Sequence, residues 1–314
     1  MNTGSNNTPE ASVDPQPIAV QPLAATRPFY WSVRRELWEN KSIYMAPLIA
    51  ACVALFGFGI TAFRLPQLRM NALALESARQ RSAIEVPYDI AALMIMFTVF
   101  IVGIFYCLDS LHGERRDRSI LFWKSLPVSD RTAVLSKLFV PMALLPVITF
   151  VVVIATQLIM LLLSTAVLLP SGLAGTTWNL LPWPRLAAML LYGLVTSALW
   201  EAPLFGWLLL VSSWAKRAAF LWAVLPWLAI SAIEKLAFDT TYFSRMLVHR
   251  LTGGFEVGFV VVKYPKGAHV PIVDRLTHFD PLKFLTNPGL WIGLLIAAAF
   301  IVAAVRLRRS RGPL

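Results

Sequence analysis

Few polar or ionisable side chains interrupt the long apolar stretches of this sequence, and Glu201 is the most prominent of them. A charged side chain at the centre of a membrane costs roughly 3 kcal/mol on insertion scales, so this carboxyl should face other helices or water. Glu201 could contact a proton, a cation or a substrate in a pathway, or it could be a hydrogen-bonded carboxyl that holds two helices together. Gln157, in an earlier apolar stretch, is better explained by helix packing than by contact with a substrate in a pathway.

Motifs of the common catalytic and nucleotide sites are absent from the sequence. There is no Gly-rich loop followed by Lys and Ser or Thr, no His-Glu-x-x-His and no Gly-x-Ser-x-Gly. The spacing of His249, His269 and His278 matches no compact metal-ligand motif. We therefore expect this chain to be no enzyme and to bind no cofactor or metal of its own.

The densest charged segment of the chain runs from Asp109 to Lys137, between two long apolar stretches. It contains a short amphipathic piece, Ser119 to Leu126, which Pro127 ends. The charges exclude this segment from hydrocarbon, so it should lie at a membrane face. The apolar residues that it would offer there are Ile120, Phe122, Trp123 and Leu126. They could rest on lipid head groups, but docking in a groove of a partner protein explains both the aromatic residues and the abrupt end.

The composition of the chain indicates an integral membrane protein. Of its 314 residues, 57% are hydrophobic and only 14% are charged, and the mean hydropathy is +0.65. Soluble domains carry about 25% charged residues. The net charge of +11 resides in short clusters between apolar stretches, which is typical of loops beside membrane spans and does not require a nucleic-acid partner.

The apolar stretches predict six transmembrane helices, and the fold class is therefore an all-α polytopic membrane protein. The predicted spans are residues 43–63, 90–108, 138–169, 186–215, 218–238 and 288–305. The third would be about 48 Å long as a helix, which exceeds one span, yet two spans and a turn need about 40 residues. We interpret it as one long helix that bends near Pro141 or Pro146.

The remaining segments complete the predicted layout. Residues 1–26 have the composition of a disordered tail, and residues 27–42 combine aromatic and paired basic residues as an interfacial helix does. Residues 109–137 form a charged cytoplasmic loop, whereas residues 64–89 and 239–283 are polar loops on the other side. Six spans place both termini on one side, and the Lys and Arg counts assign that side, including the tail at 309–314, to the cytoplasm.

The charged segment resembles a motif of the permease subunits of ATP-binding-cassette (ABC) transporters of the type-two exporter class. In that family an acidic–basic pair is followed by Gly with Thr or Ser, and then by a short apolar helix that ends in Pro-Val-Ser. The matching residues here are Glu114, Arg115, Ser119, Leu126, Pro127, Val128 and Ser129, with Lys137 before the third span. Arg118 departs from the pattern, because the family often has Gly there. The helix ahead of span one resembles the family's elbow helix, and the six spans match its layout too.

This resemblance implies a permease subunit that forms a translocation pathway, with export as the expected direction. The short helix would be the coupling helix that docks on a cytoplasmic ATPase subunit. The residues implied at that interface are Glu114, Arg115, Ser119, Ile120, Phe122, Trp123, Leu126 and Pro127, of which Glu114 and Arg115 would hold the loop by ion pairs.

The resemblance further implies that ATP and Mg²⁺ bind to the partner ATPase and not to this chain. A second permease chain, identical or related, would complete the pathway in the bacterial cytoplasmic (inner) membrane, and lipid would surround both. The alternative is a self-sufficient secondary transporter or channel. That class predicts paired intramembrane charges and inverted repeats, whereas this sequence has one deep acid and no clear repeat.

Overall fold

The computed structural model describes residues 28–75, 77–125, 128–181, 183–261 and 276–310 of the chain. Within those ranges, six helices are long and apolar enough to cross a membrane: Ser42–Ala62, Ala83–Arg116, Asp130–Ser171, Trp183–Trp214, Ala219–Phe238 and Pro288–Ser310. The prediction of a mainly helical protein with six such helices is confirmed, and these helices indicate an integral membrane protein. The predicted tail at 1–26, Leu126, Pro127 and residues 311–314 lie outside the described residues.

The first part of the chain is more helical than the sequence indicated. It forms α1 (Pro28–Glu39), α2 (Ser42–Ala62), α3 (Leu65–Leu73) and α4 (Ser77–Arg116). The segment 64–89, predicted as a polar loop, therefore contains α3 and the first turns of α4. Its charges exclude it from hydrocarbon, but its Ala, Leu and Arg residues favour helix, and polar residues by themselves do not break a helix.

The third long stretch is a continuous helical rod. A short helix, α5 (Ile120–Ser125), precedes it, and the rod itself comprises α6 (Asp130–Phe139), a π-helical segment at Val140–Leu144 and α7 (Leu145–Leu168). Pro141 lies inside the π segment. Proline has no N–H to donate and its ring crowds the preceding turn, and a widened turn accommodates both.

The second half of the chain contains α8 (Ala174–Leu180), α9 (Trp183–Trp214), α10 (Ala219–Phe238) and α11 (Tyr242–Gly258). Strands β1 (Phe259–Val261) and β2 (Leu276–Phe279) then pair antiparallel, and α12 (Pro281–Thr286) leads into α13 (Pro288–Ser310). The described parts of segment 239–283, predicted as a loop, are thus mostly regular structure. A Cβ on Gly254 would lie 2.9 Å from the Ser197 Cα, so glycine lets α11 pack closely on α9.

The main core lies where α2, α4, α6, α7, α9 and α13 meet. Its buried side chains include Ile95, Val99, Val153, Leu209 and Ala304. Large apolar side chains also cover the outside of the bundle, and Phe56, Phe97, Leu162, Leu236 and Leu295 are all exposed. An apolar exterior around an apolar core is expected when lipid, and not water, surrounds the helices.

Candidate functional site

Six charged side chains meet in a buried ionic cluster at one end of the bundle. We define this ionic cluster as Arg35, Glu36, Glu114, Asp130, Lys137 and Arg308. Glu36 is 0% exposed and Lys137 is 1% exposed. Three acidic groups and three basic groups balance, and burial of charge requires such pairing because isolated ions lose their hydration.

Lys137 is the central cation of the ionic cluster. Its Nζ lies 2.9 Å from Glu36 Oε1 and 3.1 Å from Glu114 Oε1. Arg35 reaches the same two carboxylates, at 2.7 Å and 3.0 Å. The Tyr106 hydroxyl donates to Glu36 Oε2 at 2.9 Å, so each Glu36 oxygen has a partner.

Arg308 connects the C-terminal helix to the ionic cluster. Its Nη1 pairs with Glu114 Oε2, and its Nε lies 3.1 Å from Asp130 Oδ1. Glu36 belongs to α1, Glu114 to the end of α4, Lys137 to α6 and Arg308 to the last turns of α13. The ionic cluster therefore fixes four helix ends to one another.

The electrostatics of the ionic cluster keep Glu36 ionised. Burial by itself raises the pKa of this carboxyl, but the positive charges of Lys137 and Arg35 and their hydrogen bonds outweigh burial, so the pKa of Glu36 lies below its ordinary value. Glu36 belongs to the segment 27–42 that the sequence predicted as an interfacial helix. The structure buries it, because the ion pairs with distant residues compensate for the loss of water.

The short helix α5 contacts the ionic cluster through one aromatic ring. The Arg35 guanidinium lies 3.9 Å from the centre of the Trp123 ring, which is cation–π geometry. Trp123 is half-buried and also meets the Phe122 ring edge-to-face at 4.9 Å. Trp123 therefore links α5 directly to Arg35 of the ionic cluster.

The exposed face of α5 differs from the one predicted. Phe122 is 59% exposed, as expected of a docking residue, but Ile120 is 1% exposed and belongs to the packing of the chain itself. Leu121, which the sequence pattern did not select, is 59% exposed. A helix of six residues makes less than two turns, so its inward side follows from the neighbouring helices and not from its own periodicity.

The residues on both sides of α5 have defined backbone and capping geometry. Arg118 enters it with φ of +58°, the left-handed conformation that glycine adopts most readily, at the position where the resembled motif often has glycine. Ser119 Oγ donates to the Glu114 carbonyl at 3.4 Å. On the other side, Ser129 caps α6 by accepting a hydrogen bond from the Thr132 N–H at 3.1 Å.

Arg115 joins α4 to the end of α9. Its Nη1 donates to the Ser213 carbonyl at 2.9 Å and to the Ala215 carbonyl at 3.4 Å. The last carbonyls of a helix have no partner within the helix, and a cation satisfies both their hydrogen bonds and the helix dipole. The sequence predicted an ion pair for Arg115, and the structure shows in addition that Arg115 caps the end of α9.

Gln157 and Glu201 lie apart from the ionic cluster. Gln157 Nε2 is 3.5 Å from the Tyr88 carbonyl and joins α7 to α4. Glu201 lies on α9 and lines a cavity of about 340 Å³ together with Thr149, Ser197 and Gly254. The exposed residues Leu93 and Phe97 line the same cavity, which therefore extends from Glu201 to the outer surface of the bundle.

No protein-family model matches this chain, and the comparisons with curated proteins and with solved structures found no match either.

Proposed function

We propose that this chain is the membrane-spanning permease subunit of an ABC exporter in the bacterial cytoplasmic membrane, with both termini in the cytoplasm. In this proposal α5 is the coupling helix and docks in a groove of a cytoplasmic ATPase subunit. ATP and Mg²⁺ bind to that subunit, and this chain contributes to the translocation pathway.

The observation that carries the proposal is the connection between an exposed apolar helix and a buried ionic cluster. Leu121 and Phe122 on α5 are available to a partner, and Trp123 beside them contacts Arg35. Exposed aromatic residues on a short helix are typical anchors of protein interfaces.

The ionic cluster would transmit the movement of α5 to the membrane helices. Separation of any one helix end would leave buried charges without partners, which costs several kcal/mol. The ends of α1, α4, α6 and α13 should therefore move as one body when the ATPase displaces α5. Rigid-body motion of this kind is a common way of coupling a motor to a distant site.

The proposal also explains why α1 and α10 expose apolar and aromatic side chains. Tyr30, Trp31 and Trp38 on α1 are exposed, as expected of an elbow helix at the level of the lipid head groups. Among the six candidate spans, α10 has the smallest buried share. Its uncovered apolar surface is available to lipid or to a second permease chain.

The experiment that tests the proposal is affinity purification of the tagged full chain from its host. We expect a protein with a nucleotide-binding P-loop, and ATPase activity, to co-purify with the wild type. Phe122→Asp should reduce the recovered ATPase at least tenfold, because a charge in an interface hot spot is costly. Leu282→Asp is the matched control, since Leu282 is equally apolar, is 74% exposed and lies on α12 at the other end of α13. Equal ATPase recovery with both variants would contradict the docking role of α5.

A secondary transporter is the second candidate, and the cavity beside Glu201 favours it. An acidic residue that lines a cavity among membrane-spanning helices is a feature of proton-coupled carriers. Reconstituted vesicles separate the two functions: an ABC permease moves its substrate only with its ATPase and ATP, whereas a secondary transporter works with an ion gradient alone.

A further inference from the structure

A cavity of about 440 Å³ lies between α2, α3, α4 and α7, at the opposite end of the bundle from the ionic cluster. Most of its wall is apolar, with Val53, Phe58, Ala91 and Met160 among the lining residues. Its volume falls within the range of ligand sites in proteins. The lining residues Leu68 and Ile90 are 52% and 59% exposed, so the cavity borders the outer, lipid-facing surface of the bundle.

One buried cation lines this apolar cavity. Arg69 is only 4% exposed, and its Nη2 donates to Thr177 Oγ1 at 2.9 Å. Its Nε is buried and has no hydrogen-bond partner among the described residues. Burial lowers the pKa of the Arg69 guanidinium, and Tyr88 opposes this effect only in part.

The described residues do not supply a counter-ion at the usual distance. No carboxylate oxygen in the described part of the chain lies within 4.0 Å of an Arg69 nitrogen. Glu85 on α4 is also buried, but it does not line the cavity, and its Oε1 lies 3.9 Å from Arg81 Nε. A buried guanidinium without a counter-ion is unfavourable because it has lost its hydration, and a bound anion would compensate for that loss.

We propose that this cavity binds an anionic phospholipid, with the lipid phosphate paired to Arg69 and one acyl chain along the apolar wall. Arginine is suited to this contact because its planar fork of donors matches two phosphate oxygens. The apolar wall and the opening toward the lipid-facing surface favour a lipid over a soluble anion. This site stands independently of the proposed transport function, because its test measures binding and not transport.

Two glycines on α2 provide a test that changes no charge. A Cβ at either Gly57 or Gly59 would meet no atom within 4 Å, but Gly57 lines the cavity and Gly59 does not. Gly57→Leu should therefore fill the cavity without disturbing the packing of α2. Gly59→Leu is the matched control, with the same change two residues away.

The binding experiment uses the purified full chain in detergent, with phosphatidylglycerol as the probe and native mass spectrometry as the readout. We expect Gly57→Leu and Arg69→Gln each to weaken binding about tenfold, and Gly59→Leu to leave it unchanged. Arg64→Gln, at an exposed arginine before α3, should also leave binding unchanged. Phosphatidylcholine should bind at least tenfold more weakly than phosphatidylglycerol, because its choline cation would lie close to Arg69. Water-soluble glycerol phosphate should also bind at least tenfold more weakly, because it lacks the acyl chains that would contact the apolar wall.

Three results would overturn this proposal. Equal affinities of the two glycine variants would show that the lipid binds elsewhere on the protein. Unchanged binding by folded Arg69→Gln would remove the phosphate contact. Glycerol phosphate that binds as tightly as the lipid would identify a site for soluble anions. If Arg69→Gln does not fold, the two glycine variants still decide the outcome.

Discussion

Replacement of Lys137 by methionine is the most direct test of the ionic cluster. Methionine is close to lysine in length and removes only the charge. The Lys137 Nζ lies 2.9 Å from Glu36 and 3.1 Å from Glu114, and the lysine side chain is 1% exposed. Removal of one partner from a buried ion pair costs about 3–5 kcal/mol, because the remaining charge stays buried without compensation.

The expected loss can be measured as the free energy of unfolding in detergent, followed by tryptophan fluorescence or by thermal unfolding. For a chain of this size, each kcal/mol corresponds to about 2–4 °C in Tm, so Lys137→Met should lower Tm by about 6–20 °C. Lys216→Met is the matched control, since Lys216 is an exposed lysine in the turn between α9 and α10. We expect that control to change stability by less than about 0.5 kcal/mol.

A second substitution tests whether charge balance is the cause. Lys137→Met leaves the ionic cluster with one negative charge in excess, and adding Glu36→Gln restores the balance, so the double variant should recover about 1–3 kcal/mol relative to the sum of the single effects. Stability of Lys137→Met within about 1 kcal/mol of the Lys216→Met control would refute the reasoning. It would mean that water reaches the carboxylates and replaces the lysine.

Three further predictions concern pH, backbone strain and orientation. The pKa of Glu36 is lower in the folded state than its ordinary value of 4.5. Its contribution to stability is therefore complete above about pH 4.5 and is lost as pH falls through the folded-state pKa. Between pH 7 and pH 3, the free energy of unfolding should fall less steeply in Glu36→Gln than in wild type. Arg118 has φ of +58°, so Arg118→Gly should be at least as stable as wild type and Arg118→Val less stable by about 1–2 kcal/mol; a valine variant as stable as the glycine variant would contradict the left-handed turn. Orientation can be tested by cysteine labelling in a background with serine at Cys52 and Cys107. Lys124→Cys should react with a membrane-impermeant maleimide only after the cells are opened, whereas Leu282→Cys should react in intact cells. Labelling of Lys124→Cys in intact cells would contradict the proposal that α5 faces the cytoplasm.

The sequence alone was sufficient for the class of protein and the number of candidate spans. Apolar stretches long enough to cross a membrane are a local property, and each helix satisfies its own backbone hydrogen bonds. The same reasoning drew attention to the segment around Phe122 and Trp123, because charges beside a short apolar helix are visible in the sequence. It was less successful for residues 64–89 and 239–283, where polar composition was taken to indicate a loop although polar segments also form helices.

Only part of the ionic cluster could be identified from the sequence. Glu114 and Lys137 were noticed for their positions in the charged segment, but Glu36 and Arg308 were not singled out. Glu36 and Arg308 are separated by most of the chain and belong to one cluster because Lys137 pairs with Glu36 and Glu114, and Glu114 pairs with Arg308. Hydropathy assigns a charged residue to the surface, whereas burial of these residues depends on partners that come from other helices.

The number of helices apolar enough to enter the membrane, and the segments too polar to do so, could be read from the sequence. Both follow from the transfer free energies of consecutive side chains. Which charged groups are buried and paired depends instead on how the helices pack. Lys137 is placed between two carboxylates, and Arg69 lies beside an apolar cavity. The free energy of a buried charge depends on the groups within a few ångströms of it, and here those groups come from helices that are distant in the sequence.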